Sequence, residues 1–192
     1  RGELELSTAQ AERIADRAGG NPLIARELAR SVSQSGGLSD SLVSSAIRVK
    51  GVDAVLDVTL RRIMRSLLAA ADDPEGMTTM LQAMAILGEE VDVDVLARFL
   101  DTPLDDPDFE MMLDTLIERD VLEEIRMDGR DRVGLRPRVL AQVVLAEMGR
   151  RQRRRLHRRA LEILSASETV DPGVLGDHHR ALDEIEAALD CW

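Results

Sequence analysis

Seven arginines, Arg150, Arg151, Arg153, Arg154, Arg155, Arg158 and Arg159, fall within ten residues, the densest charge of one sign in the chain. Guanidinium groups recognise carboxylates and phosphates through paired N–H donors. A nucleic-acid or phosphate site is one reading of this stretch. The reading adopted is a solvated helix face that offsets an acidic chain, with Leu156 and Ala160 turned inward and no aromatic residues interleaved. Three histidines, His157, His178 and His179, are the other candidates for site chemistry. Neighbouring positions on a helix point to different sides, so His178 and His179 do not converge on one metal ion. Surface or helix-packing roles are expected of all three, and no metal site. Asp101, Asp105, Asp106, Asp108 and Glu110 gather at a helix start, where the positive end of the helix dipole favours carboxylates. They form no general acid and base pair, and no catalytic residues are assigned.

Phosphate chemistry is the next question. The only lysine, Lys50, follows Ile47, Arg48 and Val49 without the glycines of a G-x-x-x-x-G-K-[ST] loop. The chain by itself is therefore not expected to hold a triphosphate. Gly20-Asn21-Pro22 reads as a helix entry: Asn21 is suited to the cap, and Pro22 to the first position, where its missing N–H costs nothing.

Composition narrows the function classes. The 192 residues are 44% hydrophobic and 32% charged, the profile of a folded soluble chain. No apolar run approaches the roughly 20 residues of a membrane span. A lone cysteine, Cys191, can form no internal disulfide, so a cytoplasmic location is expected. With 25 basic and 36 acidic residues the net charge is −11, which disfavours a general grip on nucleic acid. The first residue, Arg1, suggests a piece of a longer chain.

The elements that must carry these residues are mostly helices. Ser7 and Gln10 form a capping box ahead of the stripe Ala11, Ile14, Ala15 and Ala18, which stops at Gly19-Gly20. A second helix from Asn21 carries Leu23, Ile24, Leu28 and Val32. After a loop over residues 33–41, a long amphipathic helix holds Val52, Val55, Leu56, Leu60, Ile63, Met64, Leu67 and Leu68 until Asp72 to Gly76 break it. Met77, Met80, Leu81, Met84 and Leu87 then mark a helix ending at Gly88. A short element covers Val93 to Leu100, and Asp106-Pro107 opens a third helix with Phe109, Met112, Leu113, Leu116 and Ile117 inward. Val121 to Met127 and Arg130 to Arg136 flank Asp128-Gly129, a two-residue hairpin signal.

Three helices followed by one hairpin give the order of a winged helix. Its third helix carries Asp108, Glu110, Asp114, Glu118 and Asp120 against Arg119, a net of −4, so DNA would be repelled there. The hairpin arginines Arg126, Arg130, Arg132 and Arg136 leave room for a weak contact. Beyond Pro137 come two helical stripes, then Pro172-Gly173 as a break, then a last helix with Leu182, Ile185, Ala188 and Leu189. The fold class expected is mainly α. It comprises a helical lid domain over 1–75, a winged-helix domain with one β-hairpin over 76–149, and the start of an α-helical, TPR-like sensor arm over 150–192.

Three stretches carry a family resemblance. Ala18 to Leu28, AGGNPLIAREL, resembles the segment commonly written GGNPLFLxEL in signal-transduction ATPases with numerous domains, the STAND class, which includes bacterial LuxR-type regulators related to the maltose activator. Leu81 to Gly88, LQAMAILG, is similar to the helix that opens the family's winged helix. Arg132 to Arg159 is similar to the strand, helix and R-x-x-L-H-x-x-A run that leads into its sensor arm. The resemblance covers about residues 4 to 165 and, more faintly, the remainder.

It implies that Pro22, with Gly20 and Asn21 beside it, packs on the adenine of ATP or ADP held by an upstream domain that supplies the phosphate loop and Mg2+. The helix-cap reading of those residues needs no nucleotide and stands beside it. Many relatives carry a histidine after the wing strand that reaches the β-phosphate of ADP. The matching segment here is Leu135-Arg136-Pro137; Pro137 donates no hydrogen bond, which leaves Arg136 for phosphate contact. The function implied is a regulatory segment of a bacterial transcriptional or signalling regulator, a nucleotide-responsive lid and lever. Its partners would be the upstream nucleotide-binding domain and downstream sensor or output domains of the same parent. A winged-helix DNA-binding module and a non-catalytic helical adaptor for protein partners are the alternatives.

Overall fold

The computed structural model describes residues 8–18, 25, 26, 29, 60–127, 129–136, 138–166 and 170–191, and the chain divides into two units, Arg1–Pro74 and Glu75–Trp192. In the first unit, helix α1 spans Thr8–Ala18, with Ala11 and Ala15 exposed and Ile14 half-buried. Residues 60–69 are helical (α2). Leu60, Ile63, Met64 and Leu67 are buried there while Arg62, Arg65 and Ser66 are exposed, the i, i+3, i+4, i+7 pattern of a helix with one apolar side.

The second unit is organised around α3, Pro74–Leu87. Pro74 starts it two residues inside the stretch that reads as a break, because proline is well placed in a first turn. Met77, Met80, Leu81, Ala83, Met84, Ala85, Ile86 and Leu87 are all buried. Glu75 and Thr79 in its first half are exposed, whereas the five consecutive residues Ala83 to Leu87 are buried in every direction, so the C-terminal part of α3 lies within the core of this unit. Gly88, at φ +121°, ends it with a conformation that side chains avoid.

The chain then makes β1, Glu90–Asp92, which sequence patterning does not identify. Helix α4, Val93–Leu100, buries Val95, Leu96, Ala97 and Phe99 and is closed by Asp101 in the left-handed conformation. Helix α5, Pro107–Glu118, starts at Asp106, whose Oδ1 accepts from the N–H groups of Asp108 and Phe109, both at 3.0 Å. Strands β2, Leu122–Met127, and β3, Arg130–Leu135, follow the expected hairpin, with Met127 opposite Arg130 across a two-residue turn. Gly129 in that turn has φ +75°.

The sheet is antiparallel in the order β1-β3-β2, so the hairpin gains a third strand and β3 lies at its centre. Val91 faces Val133 across β1 and β3, and both are buried. An ideal Cβ on Gly134 would lie 2.8 Å from the carbonyl oxygen of Glu89, so the backbones approach too closely there for any side chain.

Beyond the sheet, α6, Val139–Glu147, buries Leu140, Val143 and Val144. Helix α7, Arg150–Leu164, packs against α4 and against α8, Pro172–Ala181. Pro172, expected as a break, is the first residue of α8, and the Asp171 side chain caps it through the N–H of Gly173 at 2.9 Å. The expected last helix is two elements. Leu182 ends α8, Asp183 turns the chain at φ +66°, and α9, Ile185–Asp190, begins afresh and packs back on α8.

Candidate functional site

Helix α7 concentrates the polar chemistry, and its 3.6-residue period distributes the arginines over several directions. Ala160, Leu161 and Leu164 form its buried side, while Arg151, Arg155 and Arg158 are exposed, as a solvated face requires. Other α7 residues turn to neighbouring elements. Gln152 Nε2 donates to Gln82 Oε1 of α3 at 2.8 Å. Arg154 Nη1 donates to Asp183 Oδ2 at 2.7 Å, and its Nη2 donates to the carbonyl oxygen of Leu182 at 3.0 Å. The guanidinium carbon of Arg159 sits 5.7 Å from the centre of the Phe99 ring on α4, within cation–π range. Arg159 also lines a groove of about 440 Å³ with Arg98, Arg155, Arg158, Glu162 and Ile163. Arg98 is held from its own helix by Asp94 at 3.3 Å.

The histidines divide in the same way. His157 of α7 and His178 of α8 meet Nδ1 to Nδ1 at 2.9 Å, with ring centres 5.2 Å apart and planes tilted by 57°. His178 is only 3% exposed, and its Nε2 has no hydrogen-bond partner among the described residues. Burial, with the neighbouring His157 second, lowers the His178 pKa to about 4. Burial and then the charge of Arg153 lower that of His157. Both imidazoles are therefore neutral at pH 7. An orphaned N–H costs more than an orphaned lone pair, so the proton of His178 is assigned to Nδ1, donating to His157. His179 points elsewhere, with Nδ1 2.8 Å from Glu184 Oε2. Among the described residues no group of three or more His, Cys, Asp or Glu is arranged to hold a metal ion.

The hairpin arginines are matched with carboxylates. Arg126 faces Asp131 at 3.4 Å, Arg130 faces Asp92 at 3.3 Å, and Arg132 reaches Asp92 at 2.6 Å and Glu90 at 3.9 Å. Arg136 is exposed, with Nε 2.8 Å from Glu123 Oε2, and its backbone N–H donates to the carbonyl oxygen of Val121 at 2.8 Å. Gly20, Asn21, Pro22 and Pro137 lie outside the described residues, so Arg136 is the one residue of that nucleotide-site group with a described environment.

These arrangements are suited to binding and to joining elements. Sequence reasoning did not find the His157 to His178 contact or the inward roles of Arg154 and Arg159, because their partners lie on other helices. No protein-family model matches the chain, and comparisons with curated proteins and with solved structures give no match either.

Proposed function

We propose that the chain is the regulatory segment of a bacterial STAND-type ATPase, a transcriptional or signalling regulator, and works as a nucleotide-responsive lid and lever. In this reading α3, α4, α5 and the three-stranded sheet are a winged helix, and α7 to α9 begin a TPR-like sensor arm. ATP or ADP would be held in the longer parent against Gly20, Asn21 and Pro22, with an upstream domain supplying the phosphate loop, and Arg136 would have to exchange Glu123 for phosphate to reach it. The observation that carries the proposal is the join between α7 and the sheet-bearing module. Gln152 bonds Gln82 on α3, and Arg159 lies over Phe99 on α4, so a displacement of the module is transmitted to the arm through packed side chains. A cytoplasmic location belongs to the same proposal; among the described residues no helix is long and apolar enough to cross a membrane.

The test is titration of a fluorescent ADP analogue into the chain extended upstream through its phosphate-loop domain. Binding that weakens about tenfold in Pro22→Ala supports the reading. No binding, or binding indifferent to Pro22, overturns it.

The DNA-binding alternative loses support from the hairpin, since its four arginines face carboxylates of the same chain. One observation favours an adaptor role: Leu104 and Met111, on and beside α5, are 53% and 49% exposed.

A further inference from the structure

We propose that the groove between α5 and the β2–β3 hairpin docks a cationic amphipathic helix of a partner protein. The inference is independent of nucleotide binding. The groove encloses about 710 Å³, room for several large side chains, and Leu113, Ile117 and Ile125 supply apolar lining. Leu104, half exposed, extends that apolar area at the edge.

The charge around the lining is one-sided once internal pairs are removed. Arg126, Arg130 and Arg132 all line the groove, and each already faces Asp131, Asp92 or Glu90. Glu110 and Asp114 lie four residues apart on one side of α5, and Glu124 of β2 lines the same groove. Among the described residues no cation pairs with any of these three. An unmatched set of carboxylates around an apolar floor is the complement of a helix whose apolar stripe is bordered by lysine or arginine. An extended peptide would instead pair with an edge strand of the sheet, and β2 is an edge strand in the order β1-β3-β2. Duplex nucleic acid would meet the same three carboxylates and be repelled.

The probe is a dye-labelled leucine–lysine peptide of about 14 residues with leucine at i, i+3, i+4 and i+7. Its binding to the whole chain is followed by fluorescence anisotropy. A leucine–glutamate peptide of the same pattern is the comparison. Saturable binding of the cationic peptide alone is expected. It should weaken by about tenfold or more in Glu110→Lys/Asp114→Lys and in Leu104→Ser, all at exposed positions. It should change less than about twofold in Glu186→Lys/Asp190→Lys, which alters the same charge on α9. Circular dichroism verifies that each variant keeps the helical fold. Equal loss in the α9 variant would reduce the effect to net charge and overturn the proposal. So would equal binding of the acidic peptide or indifference to the groove substitutions.

Discussion

Arg154 holds Asp183 and the carbonyl oxygen of Leu182 with two arms of one guanidinium, at 2.7 and 3.0 Å. Those acceptors belong to the turn between α8 and α9, where Asp183 is in the left-handed conformation. One α7 side chain therefore satisfies a helix end and neutralises the residue that makes the corner. Asp183 is largely exposed, so screening limits the ionic part, and Arg154→Ala is expected to cost about 1 kcal/mol in urea denaturation. Arg154→Lys should recover less than half of it, because an ammonium group lacks the planar fork. Full recovery with lysine would show that charge alone matters there.

The His157 to His178 pair gives the second unit an acid-sensitive joint. His178 titrates near 4 when folded and near 6.5 when unfolded. The unfolded chain therefore takes up the proton first as pH falls. The contribution of this residue is complete above pH 6.5, is lost between 6.5 and about 4, and is level below that. At about 1.4 kcal/mol per pH unit, the loss amounts to roughly 3 kcal/mol. His157, lowered in the same direction, adds to it. The stability of the wild type relative to His178→Leu should fall as pH drops from 7 to 4.5, since only the wild type carries this penalty. Parallel pH profiles would contradict the neutral buried pair.

Gly134 is required by distance. Alanine there would bring its Cβ to 2.8 Å from the Glu89 carbonyl oxygen, a backbone atom on the path into β1 that cannot rotate away. Gly134→Ala is expected to destabilise the sheet by about 1 to 3 kcal/mol. Hydrogen exchange should rise first at β1, which has one partner strand and only three residues. An unchanged melting temperature would mean that the two backbones can part at little cost.

Asp106 accepts from two backbone N–H groups at the start of α5. Asp106→Ala should cost about 1 kcal/mol, and Asp106→Asn should retain most of the stability, because the capping acceptor is kept and only the charge is lost. Thermal unfolding of both variants measures the difference. Equal losses would assign the effect to charge at the helix end.

Asp106-Pro107 and Asp171-Pro172 are the same helix-start signal, and the first is legible in the sequence because an apolar stripe follows it at once. After the second comes Gly173, and α8 buries only Gly176 and His178 as whole residues, so there is little periodicity to recognise. The hairpin is similarly legible from Asp128-Gly129 and its flanking alternation. Strand β1 is not, since Glu90-Val91-Asp92 is too short to display a period of two and exists through its pairing with β3. Helix ends at Gly88 are read easily, but Asp101, Asp120 and Asp183 reach positive φ without glycine's signature. As for the site, the density of arginine on α7 is visible in one dimension. Which of them turn inward depends on partners such as Asp183, 29 positions away.

Strand β3 lies between its two neighbours, and they reach it at different times. Its pairing with β2 needs only the adjoining turn, whereas Asp92 of β1 waits for Arg132, 40 positions further along the chain. During synthesis α3, α4 and α5 therefore leave the ribosome before the strand that completes their sheet exists. Until that strand emerges, α4, which packs against both β1 and β3, has only part of its cover, which makes this interval the one in which a chaperone has most to bind.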